Sequence, residues 1–136
     1  MTPEQIKFRG FRTDGKGWVI GFYVYRPDGK HLIYWQPFPE STNNTYHEIH
    51  PSSLGMFTGL TDKNGKGIYG AIGEKGGDRL KHPNSDYDFI VIFKDGEFRL
   101  QCMEESVLRN KITASIAHVE FCEIIGNQWE VENGKV

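Results

Sequence analysis

The chain has 136 residues, of which 38% are hydrophobic and 13% aromatic, and it carries a formal net charge of −2. That length holds one ordinary domain or two very small units sharing an interface. The composition excludes disorder throughout, and the slight acidity excludes a generic phosphate-neutralising nucleic-acid binder.

The charge is unevenly spread. Residues 1–30 set Lys7, Arg9, Arg12, Lys16, Arg26 and Lys30 against Glu4, Asp14 and Asp28. Residues 101–136 set Glu104, Glu105, Glu120, Glu123, Glu130 and Glu132 against Arg109, Lys111 and Lys135. Either two surfaces differ in sign, or the ends attract each other within one chain or head-to-tail between chains. Met1–Gly10 is polar and basic with no apolar leader, and the longest apolar run, Phe89–Phe93, is too short to span a membrane. Cys102 and Cys122 are far apart and read as small apolar side chains in a reduced setting, so a cytoplasmic protein is expected.

In chain order, the first run is Ile6–Arg12, where Ile6 and Phe8 alternate with Lys7 and Arg9 as on a half-buried strand. Thr13–Gly17 is a turn signal, followed by Trp18–Tyr25, a strand apolar on both sides. Such a strand is either central in a sandwich or presents Tyr23 and Tyr25 to a partner. Arg26-Pro27-Asp28-Gly29 turns the chain into His31–Trp35, and Pro37–Asn44 reads as a loop. Asn64-Gly65 predicts a type I′ hairpin joining Phe57–Thr61 to Gly67–Ile72. Glycines 55, 59, 67 and 70 beside Phe57 and Tyr69 point to close backbone approach at a junction. Gly73–Gly77 reads as a flexible linker; it lacks the lysine and hydroxyl order of a phosphate loop. Asp88–Lys94 and Glu97–Met103 form a further hairpin around Asp95-Gly96. Leu108, Ile112, Ile116 and Val119 make one helical stripe, which predicts a turn or two of helix within 106–117, then a strand through His118–Ile124. The resulting fold is mainly β with at most one short helix. It divides into an N-terminal β-meander over 1–50, a hairpin and linker over 51–75, and a small barrel unit over 76–136.

Phe57-Thr58-Gly59-Leu60-Thr61-Asp62-Lys63-Asn64-Gly65-Lys66-Gly67-Ile68-Tyr69, preceded by Ile49–Gly55, resembles the signature of the YopX family. The opening Ile6–Gly10, the Trp18–Gly21 step and the closing Glu123–Asn127 keep the family's order over nearly the whole chain. Two places depart from it: Gly70–Gly76 lengthens the step into Gly77-Asp78-Arg79-Leu80, and the tail Gln128–Val136 drifts. The resemblance implies a protein of temperate phages, prophages and related elements with an SH3-like barrel in its C-terminal part. It implies no activity.

The remaining constellations are weak. Asp62–Gly67 has the look of a calcium loop, but Lys66 and Gly73 stand where oxygen ligands are needed. His47 and His50 flank Glu48 without a third convergent ligand, and Glu104-Glu105 would face opposite ways on a strand. No catalytic residue, metal or cofactor is expected. The candidate binding surface combines Lys7 and Arg9 with Tyr23, Tyr25 and Tyr34, provided the first strands pair so that these share a side. Otherwise the tyrosines fill a second core face. The expected function is that of a non-enzymatic accessory protein acting through a protein-binding surface or self-assembly, its partner a host or phage protein or another copy. The alternative is a nucleic-acid-binding accessory factor.

Overall fold

The computed structural model describes residues 1–35, 46–103, 113–117 and 119–133. Among them the protein is mainly β, with strands β1 (Phe8–Phe11), β2 (Trp18–Tyr25), β3 (His31–Trp35), β4 (Tyr46–Glu48), β5 (Gly55–Thr61) and β6 (Gly67–Ala71) in the first half. The second half adds β7 (Asp78–Lys81), β8 (Asp88–Lys94), β9 (Glu97–Cys102), β10 (Thr113–Ser115), β11 (Glu123–Asn127) and one short helix, α1 (Gln128–Glu132). One sheet runs in the order β10-β9-β8-β6-β5-β1-β2-β3-β4, and β7 pairs with both β8 and β11. The signature hairpin β5–β6 is the middle of this sheet: β5 pairs with β1, and β6 meets β8.

Two clusters form the core. Val19, Ile33, Ile49 and Leu54, with Phe8 and Tyr23 against them, sit under the first strands. Ile68, Leu80, Val91, Val119 and Cys122 gather the second half, with Phe98, Leu100, Ile116 and Ile124 around them. Cys102 and Cys122 are free and buried, and burial pushes the Cys122 thiol up. The β7–β11 arrangement, with a short 3₁₀ turn at Val119–Phe121 before the last strand, is consistent with the small-barrel expectation.

Three local expectations are corrected, and a fourth falls largely outside the described residues. Most of the 106–117 span expected to hold a turn or two of helix lies outside the described residues; of the rest, Thr113–Ser115 pairs with β9, and the helix among the described residues is at Gln128–Glu132. β-Branched Thr113 favours the strand seen there. Part of the His118–Ile124 strand is the 3₁₀ turn, and the strand itself is Glu123–Asn127. The 62–66 turn is not type I′, because Gly65 has positive φ and Asn64 does not. Gly65 N–H donates to Asp62 O and Asp62 N–H to Lys66 O, a type I turn ending in a left-handed glycine. The two successive positive φ angles of a type I′ turn occur instead at Asp95 and Gly96.

The third correction concerns Gly73–Gly77. It is a packed strap: Gly73 N–H donates to Leu54 O at 2.8 Å and Lys75 N–H to Ser52 O at 2.8 Å. A Cβ on Gly76 would sit 1.8 Å from Leu54 O, so glycine here serves close backbone approach and not flexibility. The predicted 37–44 loop and Glu104-Glu105 lie outside the described residues.

Candidate binding cleft and open sheet face

Antiparallel pairing decides which side chains share a side. Arg9 stands opposite Ile20, and Phe11 opposite Trp18, so Arg9, Trp18, Ile20, Phe22 and Val24 share one side. Phe22 stands opposite Tyr34, which adds Tyr34 to that side. Tyr23 and Tyr25 project from the opposite one. The expected union of Lys7 and Arg9 with those two tyrosines is therefore overturned by the register. Tyr23 is half-buried against Phe8, with ring centroids 5.9 Å apart, and its hydroxyl meets His31 Nδ1 at 2.5 Å. Burial pushes its phenol up. Tyr25 is exposed and lies over His31.

On the Arg9 side, a cleft of about 410 Å³ opens between β1–β2 and the β6, β7, β11 and α1 segments. Lys7, Arg9, Trp18, Ile20, Lys66 and Tyr69 line one part of it, and Asp78, Ile124, Asn127 and Glu130 another. Its size falls in the range of ligand pockets, about 300–1,000 Å³. At its base, Arg9 Nη2 donates to Asp78 Oδ1 at 2.7 Å and to Gly76 O at 3.2 Å. The guanidinium lies 5.1 Å from the Trp18 ring centre and 4.6 Å from that of Tyr69. Asp78 also accepts from Tyr69 N–H at 2.8 Å. Burial pushes the Asp78 carboxyl up, against the lowering pull of Arg9 and the Tyr69 N–H.

The other wall is fixed from the chain's far end. Trp18 Nε1–H donates to Glu130 Oε1 at 2.7 Å, and Asn127 caps α1 by accepting from Glu130 N–H at 2.9 Å. Gln128 N–H donates to Gly77 O, which ties the helix to the strap. Sequence reasoning found Lys7 and Arg9 but missed Trp18, Lys66, Asp78 and Glu130. The Gly77-Asp78 step and the Trp18–Gly21 step were the available signals, both read as fold markers. Among the described residues no three His, Cys, Asp or Glu side chains converge as a metal site would require. No helix among them is long and apolar enough to cross a membrane.

From the cleft, an exposed apolar row leads outward along β2. Ile20, Phe22 and Val24 are 44%, 37% and 37% exposed, and the rings of Tyr34 and Tyr46 flank them, 5.2 Å apart.

The sequence pattern defining the YopX family, described as YopX protein, matches residues 7–133. The chain belongs to the YopX family. No curated protein matches it. Within the YopX signature, Asp62 is the structural hub. Its Oδ1 accepts from Asn64 and Lys66 N–H, each at 2.9 Å, and its Oδ2 from Ile124 N–H at 3.0 Å. Burial alone would raise its carboxyl, but these three donors and the Lys66 charge hold it below the ordinary value. The signature thus pins the hairpin tip to β11 and sets Lys66 in the cleft wall.

Proposed function

We propose that this YopX-family chain is a non-enzymatic accessory protein of the phage type that docks an extended segment of a partner protein on the Ile20–Phe22–Val24 face. The observation that carries this is the exposure of three consecutive outward positions of an interior strand. An antiparallel strand with one open face ordinarily places polar residues there. A contiguous exposed apolar row instead marks an interaction surface. Lys7 and Lys66, at the cleft end of the row, select a segment that combines apolar side chains with acidic ones. The cleft's two carboxylates support binding over acid–base work, since Asp78 is held by Arg9 and Glu130 by the Trp18 indole. The row carries no cation of its own and the chain is net acidic, which disfavours a nucleic-acid track.

The test is selection from a displayed random-peptide library on the full chain and on an Ile20→Ser/Phe22→Ser variant. Peptides with alternating apolar residues and an acid should be enriched by the first and lost on the second. No enrichment, or the same enrichment on both, counts against the reading. Light scattering on the free chain supplies the remaining arm: a concentration-dependent mass abolished by the same substitutions would give the face to a second copy.

A further inference from the structure

We propose that the cleft is the specificity pocket of this docking face and seats one carboxylate side chain of the docked segment. This rests on the docking reading and goes beyond it by naming the group recognised. Among the described residues three cations line the cleft, and they are not equivalent. Arg9 spends Nη2 on Asp78 and Gly76 O and stacks against the two rings, while its Nε has no hydrogen-bond partner among the described residues. Lys7 and Lys66 form no ion pair among the described residues. The Lys7 ammonium lies 4.8 Å from the Phe57 ring centre, and the Lys66 backbone is fixed by Asp62.

Charge matching then chooses the ligand. Lys7, Arg9 and Lys66 against Asp78 and Glu130 leave one net positive charge, which one carboxylate neutralises. A phosphate monoester carries about −1.5 to −2 and would overshoot. Phosphate is also best gripped bidentately by a guanidinium that is otherwise uncommitted, and Arg9 Nη2 is already held by Asp78 and Gly76 O. Two lysine point charges beside Ile20 and Ile124 suit a single carboxylate, whose attraction is strengthened by the apolar wall. Ile20 both lines the cleft and starts the exposed row, so the acid is a close neighbour of the apolar anchors on one extended segment.

The experiment takes a peptide selected as above and compares it with its Glu→Gln or Asp→Asn counterpart and its phosphoserine counterpart, by fluorescence anisotropy. Each is titrated with the full chain and with Lys7→Gln/Lys66→Gln, and a single-stranded oligonucleotide is the competitor. The double variant should bind the acidic peptide about tenfold more weakly and the amide peptide nearly unchanged. Equal weakening of both peptides, tighter binding of phosphoserine, or displacement by the oligonucleotide overturns the carboxylate assignment. If the amide peptide binds the wild-type chain as tightly as the acidic one while Ile20→Ser/Phe22→Ser still abolishes binding, docking stands and the pocket assignment falls. If the serine variant binds every peptide unchanged, the docking reading itself falls and the pocket assignment with it.

Discussion

The Arg9 guanidinium and the Asp78 carboxylate, 69 residues apart in the chain, meet at 2.7 Å with side chains only 12% and 2% exposed. The contact joins β1 of the N-terminal strands to β7 of the C-terminal ones. A buried pair of this kind is a weak net stabiliser, but breaking it leaves an uncompensated charge. Arg9→Met or Asp78→Leu alone should therefore cost about 3–5 kcal/mol. Arg9→Met/Asp78→Leu together should cost clearly less than the sum of the two. Urea unfolding of the three variants measures this as a double-mutant cycle, and simple additivity would show that the two groups do not act as a pair.

The strands that carry the cleft were legible because their signals are local: Phe8–Phe11, Trp18–Tyr25 and His31–Trp35 announce themselves through alternation and turn residues. The cleft was legible only in part. Lys7 and Arg9 were found on β1, but their partners Trp18, Lys66, Asp78 and Glu130 come from four distant segments that only pairing brings together. The tyrosines were misplaced for a related reason. Alternation along β2 shows that Tyr23 and Tyr25 share a side, but which side faces Arg9 depends on the β1–β2 register, and a one-residue slip reverses it. The side that stays exposed is the aliphatic one, with Ile20 and Val24, which composition alone would have buried.

The apolar row on β2 makes a prediction about stability. Ile20 is 44% exposed, so Ile20→Ser alone should cost no more than about 1–2 kcal/mol. Ile33→Ala, at a fully buried position across the sheet, should cost about 2–5 kcal/mol. Chemical denaturation separates the two cases. Ile20→Ser costing as much as the upper end expected for Ile33→Ala would show that the row is packed in solution and is not a docking face.

Asp62 fixes the sign of an acid-limb effect. Its carboxyl is held below the unfolded value of about 3.9, so its contribution is fully present above that pH and is lost as pH falls through the folded value. Asp78 works the other way: its raised carboxyl favours the protonated form, so stability drains as pH rises from about 3.9 toward the folded value. Asp62→Asn should flatten the loss of thermal stability below about pH 4, and Asp78→Asn should remove the opposing loss above it. Melting temperature against pH for the three proteins is the measurement. Identical acid limbs for wild type and Asp62→Asn would mean that the hairpin hub does not rely on an ionised carboxylate.

The glycine-rich strap offers the sharpest contrast between two readings of the same residues. If Gly73–Gly77 were a flexible linker, alanine at Gly76 would be neutral or slightly stabilising through the unfolded chain. In the folded strap, an added Cβ meets Leu54 O at 1.8 Å and Gly55 N at 2.9 Å. These are backbone atoms, and no side-chain rotation relieves the clash. Gly76→Ala should therefore cost at least about 1–3 kcal/mol, comparable to overpacking a core. Gly15→Ala, at φ +77° with open space around it, should cost only about 1–2 kcal/mol from backbone strain. Hydrogen exchange at the Ile72 and Gly73 amides, both donating to Leu54 O, reports the strap directly. Faster exchange there in Gly76→Ala, with the β2–β3 amides unchanged, would place the damage in the strap. That strap also carries the Gly76 carbonyl against Arg9, so the same substitution should loosen the base of the cleft.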